Sequence, residues 1–291
     1  MRYHATERRD QFARLLRESL YSVSVVRLTR TVRLAINPPG EGPGSDPNGY
    51  AASPSMRGLG RHYELVVACA GEIDPTTSYL IDIKTVDKAV RDKALPIIQR
   101  ACFAQTTNAQ EVLSDVVAAL KSSIGTGLES VRWHLSPYYS LEMVTSDTSS
   151  TALLRQKFDF AAAHRLHLPT LSPEQNRALF GKCNNPTGHG HNYQFEPCVT
   201  VIASGKTPTF TLQDLERLSQ STIIERFDHK HLNQDTPEFD LAKGGMNPTV
   251  ENIAKVFFEM LSKAIAAGGT GATLRTITVW ETDRTSATFP A

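Results

Sequence analysis

Between Phe158 and Tyr193 the chain reads FDFAAAHRLHLPTLSPEQNRALFGKCNNPTGHGHNY, and no other stretch limits the fold as much. His189 and His191 alternate with glycines, so on an extended strand both imidazoles point to one face. His164 ends an apolar run, Phe158 to Ala163, that predicts a partner strand across a long loop. Three neutral imidazoles with no fourth protein ligand fit a catalytic zinc site, which keeps one position open for substrate or water. A structural zinc takes four ligands, usually several of them cysteines. Cys183 sits among Gly, Lys, Asn and Pro shortly before His189, and it suits chemistry better than ligation. The competing reading is a chance H-x-H among nine histidines. The flanking glycines, the cysteine and His164 count against it.

The same residues resemble the 6-pyruvoyltetrahydropterin synthase family, which includes the bacterial 6-carboxytetrahydropterin synthases. The resemblance is carried by A-A-H-R-L, GKCNNPTGHGHNY, FDHKHLN (Phe227 to Asn233), NPTVENIA (Asn247 to Ala254) and VWETD (Val279 to Asp283). It runs from Leu153 to Phe289. It implies Zn2+ on His164, His189 and His191, and Cys183 as the proton-abstracting residue. Asp228 and His229 become a catalytic relay pair under it, and Glu281 the catalytic carboxylate that grips a pterin. Thr249 and Glu251, within NPTVENIA, become further substrate-binding residues.

Each role has a physical reason beside the analogy. A thiol near a zinc dication and a histidine has its pKa lowered, which gives a thiolate base near neutral pH. Asp228 and His229 are neighbours in sequence, where side chains often diverge, so a relay and a solvated loop pair both stay open. Glu281 follows the apolar strand Ile277-Thr278-Val279-Trp280, an expensive place for an unpaired carboxylate. A pterin edge offers two N–H donors that a carboxylate accepts in fork geometry. The alternative is a strand-end salt bridge.

The order of elements repeats. The second half predicts strands near Leu154–His164 and His189–Ser204, and helices near Thr211–Ile224 and Val250–Ala267. Strands near Leu274–Glu281 and Thr285–Phe289 close it. The first half predicts strands Val23–Ile36 and His62–Glu72, helices Ile83–Arg100 and Ala109–Ile124, then strands Glu129–Leu135 and Tyr139–Val144. Both halves read β-β-α-α-β-β. Placing Tyr63 on Tyr193 puts Leu59 opposite His189, Arg61 opposite His191 and Leu135 near the place of Glu281. Neither leucine nor arginine serves as a zinc ligand here. Arg61 reads either as a contact for an anionic substrate group or as a surface arginine.

The fold expected is α+β, with tandem tunnelling-fold (T-fold) units, each an antiparallel sheet with helices on one face. Residues 1–20 form an N-terminal helix, 21–145 a degenerate unit without a metal site, and 152–291 the zinc-binding catalytic unit. An unrelated α+β first domain is the alternative. The resemblance further implies sites between neighbouring units and a homo-oligomer.

Bulk properties narrow the function. A formal charge of +1 over 291 residues implies no broad attraction to nucleic acid or acidic membranes. No apolar run is long enough to span a bilayer. The first residues lack the apolar core of a secretory signal, and Glu7, Asp10 and Glu18 argue against a transit peptide. Cys69, Cys102, Cys183 and Cys198 show no framework spacing and read as reduced thiols in a cytoplasmic protein. The activity implied is conversion of 7,8-dihydroneopterin triphosphate to 6-pyruvoyltetrahydropterin with release of triphosphate. The alternatives are a 6-carboxytetrahydropterin synthase that releases acetaldehyde, and a non-catalytic pterin-binding scaffold. The spacing from Cys183 to His189 modestly favours the pyruvoyl product. No acid lies between Lys182 and His189, which argues against forms that make folate precursors.

Overall fold

The computed structural model describes residues 25–39, 50–104, 108–146, 151–203 and 208–291; the expected helix over residues 1–20 lies outside them. Alternation of apolar and polar residues builds the first two strands. In β1 (Val26–Ile36), Val32, Leu34 and Ile36 face the core while Arg33 faces away. It pairs antiparallel with β2 (Arg61–Gly71), whose Leu65, Val67 and Cys69 are buried on the same side.

Asp82 then caps α1 (Ile83–Ala89), which continues through a π segment, Val90–Ala94, into α2 (Leu95–Phe103). Asn108 caps α3 (Ala109–Ile124) through the Gln110 amide. Its buried residues Val112, Leu113, Val116, Val117 and Leu120 recur at helical spacing. Strands β3 (Leu128–His134) and β4 (Tyr139–Val144) complete the first half.

The second half repeats this order with additions. A strand expected as continuous is divided at Lys157 into β5 (Thr151–Gln156) and β6 (Phe158–His164). The long loop after β6 contains a helix not foreseen, α4 (Pro173–Phe180). Its capping box, Ser172 with Gln175, stands in the sequence as S-P-E-Q. Next come β7 (His189–Ile202) and α5 (Leu212–Ser219), followed by a π segment, Gln220–Ile224, and the short α6 (Glu225–Phe227). The helix that follows β2 and the helix that follows β7 thus each run into a five-residue π segment. The two-residue β8 (Lys230–His231), α7 (Leu232–Asp235), α8 (Val250–Ala267), β9 (Thr273–Thr282) and β10 (Thr285–Phe289) finish the chain.

The ten strands among the described residues belong to one sheet. β4 pairs antiparallel with β5, so the halves are joined by hydrogen bonds across Glu142↔Leu153 and Leu141↔Leu154. β7 serves both parts of the divided strand. Its end near Val201 pairs β5, its start pairs β6, and its other edge holds β9. The helices cover the face onto which Leu65, Val131, Leu141, Leu154, Phe195 and Val279 point, and one apolar core runs through both halves. Phe257 of α8 anchors it over the second half, with its ring 5.3 Å from Phe160, 5.6 Å from Phe195 and 4.9 Å from Phe227. The bare face is polar and paired across strands. Arg33 bonds Glu64 at 2.8 Å, and Arg132 and Arg155 converge on Glu142 at 2.8 and 2.9 Å. Burial alone would raise the Glu142 carboxyl, but the two guanidiniums outweigh it and hold it low.

Candidate active site

The β6–β7 register sets His164 directly opposite His189 and Ala162 opposite His191. His189 and His191 share a strand face, as their spacing requires. The three rings therefore meet at one end of the sheet, on its helix-covered side, with centroids 4.5 to 5.2 Å apart. Gly188 makes the turn into β7 at φ 72°. A Cβ there would come within 2.6 Å of His231 Nε2 and 2.9 Å of the His164 carbonyl, so only glycine fits.

His164 is fully buried, and its Nδ1 lies 2.7 Å from the Pro248 carbonyl. A carbonyl only accepts, so Nδ1 carries the hydrogen and the Nε2 lone pair points into the cluster. That Nε2 lies 3.1 Å from His189 Nε2 and 3.2 Å from a Glu281 oxygen, which is itself 3.5 Å from His191 Nε2. One ligand atom from each of His164, His189, His191 and Glu281 falls within 4.8 Å of the others, the one such group of three or more among the described residues. His191 Nε2 and His189 Nδ1 are buried without a hydrogen-bond partner. Converging imidazole nitrogens, one of them orphaned, fit a divalent metal of the zinc type.

Burial and the neighbouring imidazoles push His189 down, and burial pushes His191 down, so both favour the neutral form that ligates. When Nε2 of His164 also carries a proton, it donates to Glu281 and, with the other imidazoles, holds the carboxyl below the usual carboxylate range despite its burial; a metal on that lone pair takes the proton's place. From spacing alone the site reads as three imidazoles without a fourth protein ligand; the structure adds the Glu281 carboxylate, delivered by β9.

Cys183 lies in a short 3-10 turn, Gly181–Asn184, after α4. Its carbonyl accepts the Leu166 amide at 2.8 Å, and the Asn184 side chain donates to the Leu166 carbonyl at 2.7 Å. The buried Asn176 side chain bonds the backbone of Leu168, Leu171 and Ser172, so the long loop is stitched closed. Without a metal, burial pushes the Cys183 thiol up, and the Glu281 charge adds to that; the lowering expected beside zinc concerns the metal-bound state. The protein's own groups thus disfavour the thiolate, and a divalent cation at the imidazoles would act in the opposite direction.

The structure brings Asp228 and His229 together. One Asp228 oxygen accepts the Ala161 amide and the other meets His229 Nδ1, each at 2.8 Å, while the His229 amide bonds the Ala161 carbonyl. The Ala161 bond, strengthened by His229, holds Asp228 below its usual range. His229 is 82% exposed and stands outside the imidazole cluster. With His191 and His231 it lines a separate open pocket of about 510 Å³. Thr249 caps α8 through the Asn252 amide, and Glu251 is exposed in the first turn.

Several contributors escaped the sequence reading. Asn233 clamps the backbone of Arg165 from both sides at 2.8 and 3.0 Å. Asn247 accepts the His167 amide at 3.2 Å. Both asparagines stand inside motifs already quoted, and that is the one signal the sequence offers for them. The Pro248 carbonyl offers none.

In the first half, β2–β3 pairing sets Glu64 opposite His134, as Gln194 stands opposite Trp280. With Tyr63 on Tyr193, Leu135 therefore takes the register of Glu281. Leu59 is fully exposed, and Arg61 lies beside Cys102 and Tyr63.

Comparison with known proteins gives this geometry its context. Residues 153–291 match the family model for 6-pyruvoyl tetrahydropterin synthase. The human 6-pyruvoyl tetrahydrobiopterin synthase is 37% identical over 137 residues, covering 45% of this chain and 86% of that protein. A putative Caenorhabditis elegans enzyme of the same name is 33% identical over 132 residues, 45% of this chain and 88% of its own. The structure of 6-pyruvoyl tetrahydropterin synthase from Caenorhabditis elegans, 30% identical, covers 48% of this chain and 94% of that one, with a TM-score of 0.43. The fold is that of an α+β protein with a candidate metal centre, and the sequence relatives place it among the tetrahydropterin synthases. The chain belongs to the 6-pyruvoyl tetrahydropterin synthase family.

Proposed function

We propose that this protein is a zinc-dependent lyase that converts 7,8-dihydroneopterin triphosphate to 6-pyruvoyltetrahydropterin and triphosphate. The observation that carries the reading is the convergence of His164, His189, His191 and Glu281 within 4.8 Å, in a chain of this family. Zinc on the three imidazoles supplies Lewis acidity toward a side-chain oxygen of the substrate, which makes the neighbouring C–H more acidic. Cys183 takes that proton. His229, with Nδ1 held by Asp228, returns a proton elsewhere through Nε2, and its exposure leaves that nitrogen accessible. Glu281 accepts the two N–H donors of the pterin edge, with Thr249 and Glu251 as further contacts. The product is an isomer of the substrate less triphosphate, so no outside oxidant is required.

The first half, residues 21–145, is a second unit of the same fold without a metal site, and residues 152–291 are the catalytic unit. Leu59, Arg61 and Leu135 at the aligned positions support this. The edge strands β1 and β10 support a homo-oligomer whose sheets join, with sites between units. No helix among the described residues is long and apolar enough to cross a membrane, and a cytoplasmic location fits the free cysteines. Incubation with dihydroneopterin triphosphate followed by product analysis tests the reading. Acetaldehyde with 6-carboxytetrahydropterin would assign the other branch, and no turnover by the zinc-loaded protein would leave a pterin-binding scaffold.

A further inference from the structure

On the bare face of the sheet, at the seam where β4 meets β5, a cavity of about 250 Å³ lies against strands of both halves. Glu142 of β4, Thr151 and Leu153 of β5, Thr200 of β7 and Arg275 of β9 line it, with Ser146 from the turn after β4. Sites for drug-sized ligands run to about 300–1,000 Å³, so this one has room for a small ion and not for a pterin or a nucleotide. The register explains the gathering. Glu142 pairs with Leu153 and Leu153 with Thr200, which sets one row across three strands on that face. Arg275 joins it from β9, where the β7–β9 register shifts between Cys198 and Val199. Arg132 and Arg155 both bond Glu142, and all their contacts fall on one oxygen, Oε2. Arg275 is exposed and, among the described residues, forms no ion pair. Arg155 and Arg275 both act on the Cys198 thiol, opposing the burial that pushes it up, while Glu142 and Glu196 act the other way. Glu196 is not part of the lining. His134, on the same face, is pushed down by burial and then by Arg132, against the pull of Glu64 and Glu196. The one carboxylate of the cavity is thus held by two guanidiniums, and a third stands in the lining without a counter-ion, which favours an anion there.

We propose that this seam cavity binds inorganic phosphate. Arg275 donates to two oxygens of the ion in fork geometry, and the hydroxyls of Ser146, Thr151 and Thr200 donate to the others. Glu142 accepts the P–OH hydrogen on Oε1, the oxygen that Arg132 and Arg155 do not engage. An ionised carboxylate only accepts, so it favours an oxyanion that carries a hydroxyl and repels one that does not. Phosphate carries that hydroxyl near neutral pH, and sulfate lacks it. The donors come from the turn after β4, from β5 and β7, and from β9, so the bound ion ties the two halves together. The site lies on the face opposite the imidazole cluster, and it stands whatever reaction that cluster performs.

The test is calorimetric titration of inorganic phosphate, and of sulfate at equal ionic strength, into the wild type and three variants in a buffer free of other oxyanions. Wild type should show a phosphate site that Arg275→Gln weakens by roughly 10- to 100-fold, the loss of a charge-assisted pair. Thr200→Val keeps the shape and removes one hydroxyl, and it should weaken the site by about three- to tenfold. Lys182→Gln removes a cation on the turn that carries Cys183, and it should bind phosphate as wild type does. Sulfate should bind wild type at least about tenfold more weakly than phosphate. Phosphate should raise the melting temperature of wild type and leave that of Arg275→Gln where it is, the two melting together in its absence. Equal phosphate affinity in wild type and Arg275→Gln would overturn the proposal, as would a loss of affinity in Lys182→Gln, which would place the ion elsewhere. Sulfate binding as tightly as phosphate would remove Glu142 from the recognition and overturn the assignment to phosphate.

Discussion

Replacing Glu281 by glutamine separates its candidate duties, because the substitution keeps shape and removes charge. The carboxylate lies 3.2 Å from His164 Nε2 and 3.5 Å from His191 Nε2, with its side chain 20% exposed. With the pterin as its partner, Glu281→Gln turns one fork acceptor into a donor that opposes a pterin N–H, and the fold is left in place. Breaking one side of a buried charge-assisted pair costs about 2–4 kcal/mol, or roughly 30- to 1000-fold in kcat/KM. The stability effect is much smaller. His189 and His191 favour the neutral form, so Glu281 meets little positive charge in the free protein. A pair of this kind contributes at most about 1 kcal/mol, which moves Tm by about 2–4 °C in a domain of roughly 150–250 residues. The assay is steady-state kinetics beside a thermal melt and metal analysis of Glu281→Gln. Unchanged kinetics with a large fall in Tm would refute the pterin role and make Glu281 a brace. Loss of most of the metal would make it a ligand instead.

Cys183→Ala should keep its metal and its fold yet lose roughly 10²–10⁴-fold in turnover, whereas Cys69, Cys102 and Cys198 variants that fold should retain activity; wild-type turnover by Cys183→Ala would remove the thiol from the mechanism. Metal analysis should find one zinc per chain, lost in His189→Ala and kept in Arg61→Ala, and two zincs per chain would contradict a first half without a site. Because His189 and His191 are pushed down, both remain neutral at the ordinary imidazole value of about 6.5 and take up protons only as pH falls through their depressed values. Equilibrium dialysis from about pH 7 downward should therefore show metal retained at about pH 6.5 and released below it; half-release at or above that pH would contradict the shifts.

The parts of the site that the sequence displays are those set by local periodicity. The H-x-H spacing puts His189 and His191 on one face, and the apolar run before His164 marks the paired strand; the register that sets His164 opposite His189 is seen in the structure. Glu281 enters the cluster only through the β7–β9 register, a pairing of strands far apart in sequence that no local pattern fixes. Burial pushes the Cys183 thiol up and the Glu281 charge adds to it, and neither shows in the sequence, which gives the neighbours of Cys183 along the chain and not across the sheet. The break at Lys157 is invisible for a related reason: β5 and β6 share one alternation and differ in which part of β7 they meet. Helix α4 was legible in Ser172 and Gln175, but the surrounding Pro, Asn and Gly residues read as loop. The asparagines of the motifs hold backbone carbonyls and amides, and a sequence does not show which backbone groups lack partners.

The β4–β5 pairing has a kinetic consequence. A sheet edge that must find a separate molecule is completed in a second-order step, and its occupancy falls on dilution. Here the strand that covers β5 arrives on the same chain, a few residues upstream, so this seam closes as a first-order event at an effective concentration set by the connection. The unit that carries the imidazoles therefore keeps one of its edges covered at any protein concentration.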